Sequence, residues 1–279
     1  MIKKVAAIND LSGIGRCSLT VALPILSALK IQCCPFPTAI LSSQTGFSEY
    51  TFLDLTSEME KYYHTWKNLN LNIDTIYSGF LGSINQIDIV SNFIKENPDS
   101  FVIVDPVLGD NGVLYPIFNE NTCLKMKDLV KHSNLITPNL TEACLLVNKE
   151  YRKDYNEEDL VNIAKLLCDL GPEKVIITGI IKNDMIYNLS YDKEKNKSFF
   201  YGLKYDNRSY SGTGDIFVSI ICGLITNNYD LEFAVKVASD FIYKCVSYTT
   251  LYEKDRNQGV MFEVFLNDLT SLNKENLAN

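Results

Sequence analysis

Histidine is almost absent from this chain: His64 and His132 are the two in 279 residues, and the eight cysteines include no C-x-x-C pair. Neither a transition-metal centre of the His/Cys kind nor a hydrolytic triad built on histidine is expected on that inventory. The adjacent Cys33 and Cys34 are poor disulfide partners, so the thiols are expected to be reduced and mostly buried. The two histidines fall on a helix face and a helix end, where solvation is the expectation. No G-x-x-x-x-G-K-[ST] motif occurs, so ATP chemistry of the P-loop class is absent. The longest apolar runs, 101–104 and 174–177, have strand length, far from the ~20 residues of a membrane helix. No Pro/Gly/Ser-rich linker or long single-sign charge run divides the chain, so one domain over 1–279 is expected. The N-terminus enters a strand at 5–8 without an apolar leader region, and a cytoplasmic location is the expectation. A net charge of −8 gives no basic footprint for nucleic acid. It leaves nucleotides open, because phosphate pockets are built locally from backbone N–H groups and metal.

What the chain does have is an alternation of short apolar runs with longer helical patterns. Strands are predicted at 5–9, 31–36, 73–78, 101–105, 134–137 and 175–178, apolar throughout, as in parallel strands covered on both faces. Helices are predicted at 19–30, 57–69, 85–96, 121–131, 142–148 and 157–170. Ser57 with Glu60 and Ser83 with Gln86 match the capping-box spacing, and Asn139 with Glu142 forms a looser example. Past Thr178 the rhythm changes to an antiparallel hairpin, 185–191 with 198–203, then two helices at 214–226 and 231–252. The fold class is α/β: an open, mainly parallel sheet with an antiparallel end piece. Ligands in such sheets sit beyond the carboxyl ends of the strands, where polar and glycine residues gather here.

Three motifs carry the chemistry. Ser211-Gly212-Thr213-Gly214-Asp215 opens an apolar helix. Two glycines permit a tight turn, and the N–H groups of a helix start attract phosphate oxygens. An aspartate there can take a proton from an alcohol; it can equally be a helix cap. Asp105-Pro-Val-Leu-Gly-Asp110 sets two carboxylates at a strand end, and Thr137-Pro-Asn-Leu-Thr-Glu142 adds a third at a helix start. Hard oxygen ligands of this kind suit Mg²⁺ carried with nucleotide phosphates, although strand-end and capping roles would also account for them one by one. Gly13-x-Gly15-x-x-Ser18 lacks the third glycine and the acidic partner of a dinucleotide fingerprint.

Taken in order with Asn9-Asp10-Leu11-Ser12-Gly13, Gln44-Thr45-Gly46-Phe47 and Gly79-Phe80-Leu81-Gly82, these motifs resemble those of the pyridoxal kinases over essentially the whole chain. That family is a relative of the hydroxymethylpyrimidine kinases within the ribokinase-like, three-layer α/β/α fold. The pyrimidine kinases typically carry Gly-Thr-Gly-Cys where this chain has Gly212-Thr213-Gly214-Asp215, and lack the Gly-Asp that follows Asp-Pro-Val here. The resemblance implies phosphorylation of the 5′-hydroxymethyl group of a B6 vitamer by ATP, with Mg²⁺ and a monovalent cation such as K⁺ compatible, in a homodimer. It implies Asp215 as the base and Gly212, Thr213 and Gly214 as an anion hole. Asp105 and Glu142 would order Mg²⁺, while Asp110, Thr137, Asn139, Thr178 and Thr213 would meet the nucleotide. Asp10, Ser12, Thr45, Phe47, Phe80 and Asp215 would meet the ring substrate. Asp10, Gln44, Phe47 and Phe80 depart from the residues common in that family (Ser, His, Tyr and Tyr), so the ring pocket is not standard. Two other readings are a hydroxymethylpyrimidine kinase and a catalytically silent binder of vitamer or nucleotide.

Overall fold

Val5, Ala6, Ala7 and Ile8 are completely buried, as the first strand of a sheet covered on both faces should be. The computed structural model describes residues 2–205 and 207–275, which cluster into two units: Met1–Tyr77 with Arg208–Asn279, and the inserted Ser78–Asn207. The first unit opens with β1 (Lys4–Ser12), α1 (Ser18–Ala28), β2 (Gln32–Leu41), β3 (Phe52–Asp54), α2 (Thr56–Asn68) and β4 (Thr75–Ser78). Its strands run in the order β4-β1-β2-β3, with β1 and β2 parallel and β3 antiparallel to β2.

Two of these strands are longer than their apolar runs predict. β1 continues through Asp10 to Ser12, so residues expected in a loop stand in the strand itself, and β2 continues to Leu41. The pairing passes from Asn9 opposite Pro37 to Leu11 opposite Ile40, leaving Asp10 facing two residues, Thr38 and Ala39. Such an irregularity re-aims side chains locally. The capping box expected at Ser57 does not form: α2 starts one residue earlier, where the Thr56 N–H is taken by Asp54 Oδ1 at 2.8 Å.

The second unit comprises α3 (Ile84–Lys95), β5 (Phe101–Val104), β6 (Gly109–Asp110), β7 (Val113–Leu114), α4 (Glu120–Val130), β8 (Leu135–Ile136), α5 (Leu140–Leu146), α6 (Glu157–Leu170), β9 (Lys174–Lys182), β10 (Met185–Asp192) and β11 (Lys197–Lys204). β5, β8 and β9 are parallel, and β10 and β11 continue antiparallel, as the hairpin reading expected. Ser83 accepts the Gln86 N–H at 3.3 Å, but Gln86 Oε1 reaches Gly82 N–H rather than closing the box on Ser83. Asn139 and Glu142 form the complete reciprocal pair. The chain then returns to the first unit through α7 (Thr213–Thr226), α8 (Leu231–Tyr252) and α9 (Leu266–Glu275). Five cysteines are buried and all eight are free, while His64 and His132 are exposed. Among the described residues, no helix is long and apolar enough to cross a membrane.

Candidate active site

The candidate residues fall into two groups, one in each unit. In the first unit the glycine turn leads into α7. Gly212 has φ 75°, the left-handed region that glycine enters without steric cost. Gly214 does not share this property: it has no positive φ, is exposed, and a Cβ built on it meets nothing within 4 Å. The expectation that both glycines serve the turn is therefore corrected. Gly212 alone makes it; Gly214 leaves open space at the helix start, where N–H groups lack intrahelical partners. Thr213 Oγ donates to Tyr210 O at 3.2 Å, and Ser211 N–H to Arg256 O at 3.0 Å, bracing the turn from below.

Asp215 lies in the first turn of α7 and is partly buried. Asn9 Nδ2 donates to its Oδ1 at 3.3 Å, and the Ser18 backbone N–H donates to it as well. Burial, and then the nearby charge of Asp10, push its pKa up to about 6 against those two donors. A carboxylate in that range is still ionised at neutral pH yet basic enough to accept a proton.

Asp10 is 7% exposed, and Ser18 Oγ at 2.6 Å and Ser12 Oγ at 2.9 Å both donate to its carboxylate. Burial raises its pKa despite these bonds. Ser12 is itself buried and spends its hydroxyl on Asp10, so the structure groups Asp10, Ser12 and Asp215 around Asn9 and Ser18. Neither Asn9 nor Ser18 had a role assigned from sequence. Asn9 stands inside a recognised motif; Ser18, non-glycine at φ 51°, gives no sequence sign of a left-handed backbone. Cys17 lies beside the two carboxylates, and its thiol is pushed up to about 12 by burial first and then by Asp215 and Asp10. It is therefore no thiolate nucleophile.

Thr45 is exposed and Phe47 half-buried, in a turn organised by the buried Gln44. Gln44 Oε1 accepts the Gly46 N–H at 2.8 Å, and its Nε2 donates to Asn257 O at 3.1 Å and to Ser211 Oγ at 3.4 Å. The Gln-for-His departure is thus a structural tie between this turn and the glycine turn.

In the second unit, Glu142 is 4% exposed. Its Oε2 accepts from Asn139 N–H at 2.8 Å and its Oε1 from Leu108 N–H at 3.1 Å. Burial above all, and Asp105 second, raise its pKa well above the ordinary value. Thr137 Oγ donates to Asp105 Oδ1 at 3.0 Å, Asn139 Nδ2 donates to Gly109 O at 2.8 Å, and Thr178 pairs with Asn139 across a β-bridge. Asp105, Thr137, Asn139, Glu142 and Thr178 are therefore neighbours.

Asp110 is engaged elsewhere. It is exposed, and its two oxygens accept from the Asn111 N–H at 2.8 Å and the Asn111 Nδ2 at 2.9 Å. Asn111 and Gly112 both have positive φ between β6 and β7, the Asn-Gly turn typical of a two-residue hairpin. Phe80 is half-buried with its ring 6.1 Å from that of Phe118.

Among the described residues no three carboxylate, imidazole or thiolate side chains gather into a ready-made metal cage. A cluster short of that number fits Mg²⁺, which is usually bound through one or two carboxylates plus substrate phosphates. Asp105 and Glu142 could supply such a pair, and the charge of Asp105 opposes ionisation of Glu142.

Compared with known proteins, residues 25–260 match the family model described as phosphomethylpyrimidine kinase. A protein of Bacteroides thetaiotaomicron, provisionally described as a phosphomethylpyrimidine kinase and crystallised in an orthorhombic form with pyridoxal, is 42% identical over 96% of each chain with a TM-score of 0.93. Pyridoxal kinase from Lactobacillus plantarum is 28% identical over 99% of each chain, TM-score 0.91. Pyridoxal kinase of Dictyostelium discoideum is 26% identical over 80% of this chain and 79% of its own. These likenesses agree with the α/β class and mainly parallel sheet read from the sequence.

Proposed function

We propose, for a chain that belongs to the phosphomethylpyrimidine kinase family, the transfer of the γ-phosphoryl group of ATP to the 5′-hydroxymethyl group of a B6 vitamer. The observation that carries this reading is Asp215: an ionised carboxylate, raised to about 6, in the first turn of a helix whose start is open at Gly214. The ring preference is supported by the pyridoxal-bearing crystal form of the 42% identical relative.

Chemically, Asp215 takes the proton of the acceptor hydroxyl as its oxygen bonds to the γ-phosphorus. The bond from that phosphorus to the bridging oxygen breaks, and ADP leaves with the electron pair. The N–H groups of Gly212 to Asp215 stabilise charge on the transferred group's oxygens. Asp105 and Glu142 would hold Mg²⁺ with the triphosphate, and that ion would neutralise charge on the phosphates. Thr137, Asn139, Thr178 and Thr213 are assigned to the nucleotide, and the exposed Asp110 with them. Asp10 is assigned to a ring N–H or hydroxyl, with Ser12 acting through it, and Thr45, Phe47 and Phe80 to the ring's edge and faces.

A second reading, a hydroxymethylpyrimidine acceptor, is favoured by the family description itself and by Asp10, which suits an aminopyrimidine equally. ADP release measured with pyridoxal, pyridoxine, pyridoxamine and hydroxymethylpyrimidine separates the two. The expected result is a kcat/KM at least about tenfold higher for one B6 vitamer than for the pyrimidine. The reverse order would replace the B6 reading with the second one, and no turnover with any alcohol would leave a silent binding protein.

A further inference from the structure

Two residues link Asp215 to Asp10. Asn9 sends Nδ2 to Asp215 Oδ1 at 3.3 Å and accepts the Asp10 N–H on Oδ1 at 3.0 Å. Ser18 sends its main-chain N–H to Asp215 and its hydroxyl to Asp10 at 2.6 Å. Asn9 is completely buried on β1, so its amide is held in one orientation by the Asp10 main chain. Ser18 is the first residue of α1, a helix with no side-chain cap and no acidic residue in its first turn. Its N–H is thus one of the donors that a helix start leaves unpaired, and the φ of 51° turns it onto a carboxylate from another helix. Left-handed backbone at a non-glycine residue costs free energy, and here it is spent where two acids meet.

We propose that Asn9 is a positioning residue for Asp215: with the Ser18 main chain it holds the carboxylate in one orientation and keeps it ionised beside Asp10. The inference rests on the reading of Asp215 as the base. The titratable groups facing Asp215 are Asp10 on β1 and Cys17 ahead of α1; α1 (SLTVALPILSA) has no charged residue, and no charged side chain of α8 is among the groups acting on it. Of these, the charge of Asp10 is the one that opposes ionisation of Asp215. Asn9 and Ser18 are the groups that favour it.

The test is the pH dependence of the Asn9→Leu to wild-type ratio of kcat/KM for the vitamer at saturating MgATP. Taking the ratio cancels the titration of the substrate itself. Losing a donor to the charged form moves the acid limb upward. The expected ratio is about 0.1–0.3 at pH 6, recovering to within about twofold of unity at pH 8.5. A merely structural asparagine would give a ratio independent of pH, and that result overturns the proposal. Should Asn9→Leu not fold, Asn9→Ser, whose hydroxyl is too short to span both partners, is expected to show the same pH-dependent ratio. Asp215→Asn measured alongside separates the two layers. If it is inactive at every pH while the Asn9 ratio is flat, the clamp fails and the base stands. If it keeps turnover, the base reading falls and takes the clamp with it.

Discussion

A Cβ built on Gly212 would lie 1.8 Å from the carbonyl oxygen of Arg16. No side chain fits there, and φ of 75° would strain one in any case. Two residues on, Gly214 has nothing within 4 Å of the same construction. The two glycines of one motif therefore answer to different demands: Gly212 to the fold, Gly214 to whatever approaches the helix start.

Alanine at each position reads this difference. Gly212→Ala should lower stability by about 2–4 kcal/mol, from the clash and the left-handed backbone, and lose activity with it. Gly214→Ala should melt at or above the wild-type temperature, since alanine is favoured over glycine in a helix by about 1 kcal/mol. Turnover should nevertheless fall at least about tenfold, because the methyl group enters the space assigned to the phosphoryl group. Thermal melts beside steady-state kinetics check both; full activity in Gly214→Ala would remove the anion-hole assignment.

Much of this was legible in the sequence, for identifiable reasons. The strands of the parallel core showed because residues such as 101–104 and 175–177 are apolar on both faces. The Asn139–Glu142 capping pair was visible from its spacing and formed in full. What hid was set by tertiary contact. The extension of β1 through Asp10 and Ser12 puts buried polar residues in a strand, where pattern reading expects a loop. The short edge strand β3, with Phe52 and Leu53 exposed, has too few residues to show a period. The β6–β7 hairpin has an Asn111-Gly112 turn signal, but strands of two residues each are too short to show the flanking alternation that marks a hairpin. Ser18 gave no signal, since its left-handed backbone and its bonds to Asp215 and Asp10 are tertiary features with no local pattern.

Glu142→Gln weighs cap against metal ligand. Both oxygens of Glu142 already accept backbone N–H groups, and glutamine can accept only one of the two. Removal of a buried charge that Asp105 opposes offsets that loss, so stability should change by less than about 1.5 kcal/mol. The Mg²⁺ concentration for half-maximal rate should rise several-fold, and the KM for MgATP more than that for the vitamer. An unchanged Mg²⁺ titration would reduce Glu142 to the helix cap and loop tie that its hydrogen bonds describe.

Asp10→Ser tests the ring assignment. The variant removes the acceptor shared by Ser12 and Ser18 and leaves three neighbouring hydroxyls able to bond one another. A charge-assisted bond to a ring N–H or hydroxyl would be lost, at about 1.5–3 kcal/mol for the substrates that make it. Relative kcat/KM among the vitamers and the pyrimidine should reorder, with the KM for ATP unchanged. If all ring substrates fall by the same factor, Asp10 serves Asp215 electrostatically and does not meet the ring.

Asp215→Asn bears on the whole assignment. The hydroxymethyl acceptor is a poor nucleophile at neutral pH, so loss of a positioned base should cut kcat by about 10²–10⁴. Affinities should change little, because the helix-start N–H groups and the second unit's carboxylates do not depend on this side chain's charge. Stability supplies an independent sign. The folded-state value of about 6 stands above the ordinary 3.8, so the folded chain binds this proton more tightly than the unfolded one. Ionisation of Asp215 therefore costs stability as pH rises from about 4 through 6, and the whole cost is present at pH 7. Asparagine does not ionise. The variant should gain up to about 3 kcal/mol over wild type at pH 7.5, less the cost of any donor it leaves unpaired, and the gap should close near pH 4. A mere cap predicts the opposite pair of results, a variant somewhat less stable and still active. Melts at the two pH values beside kcat decide between them: a kcat within about threefold of wild type would show that Asp215 is not the base.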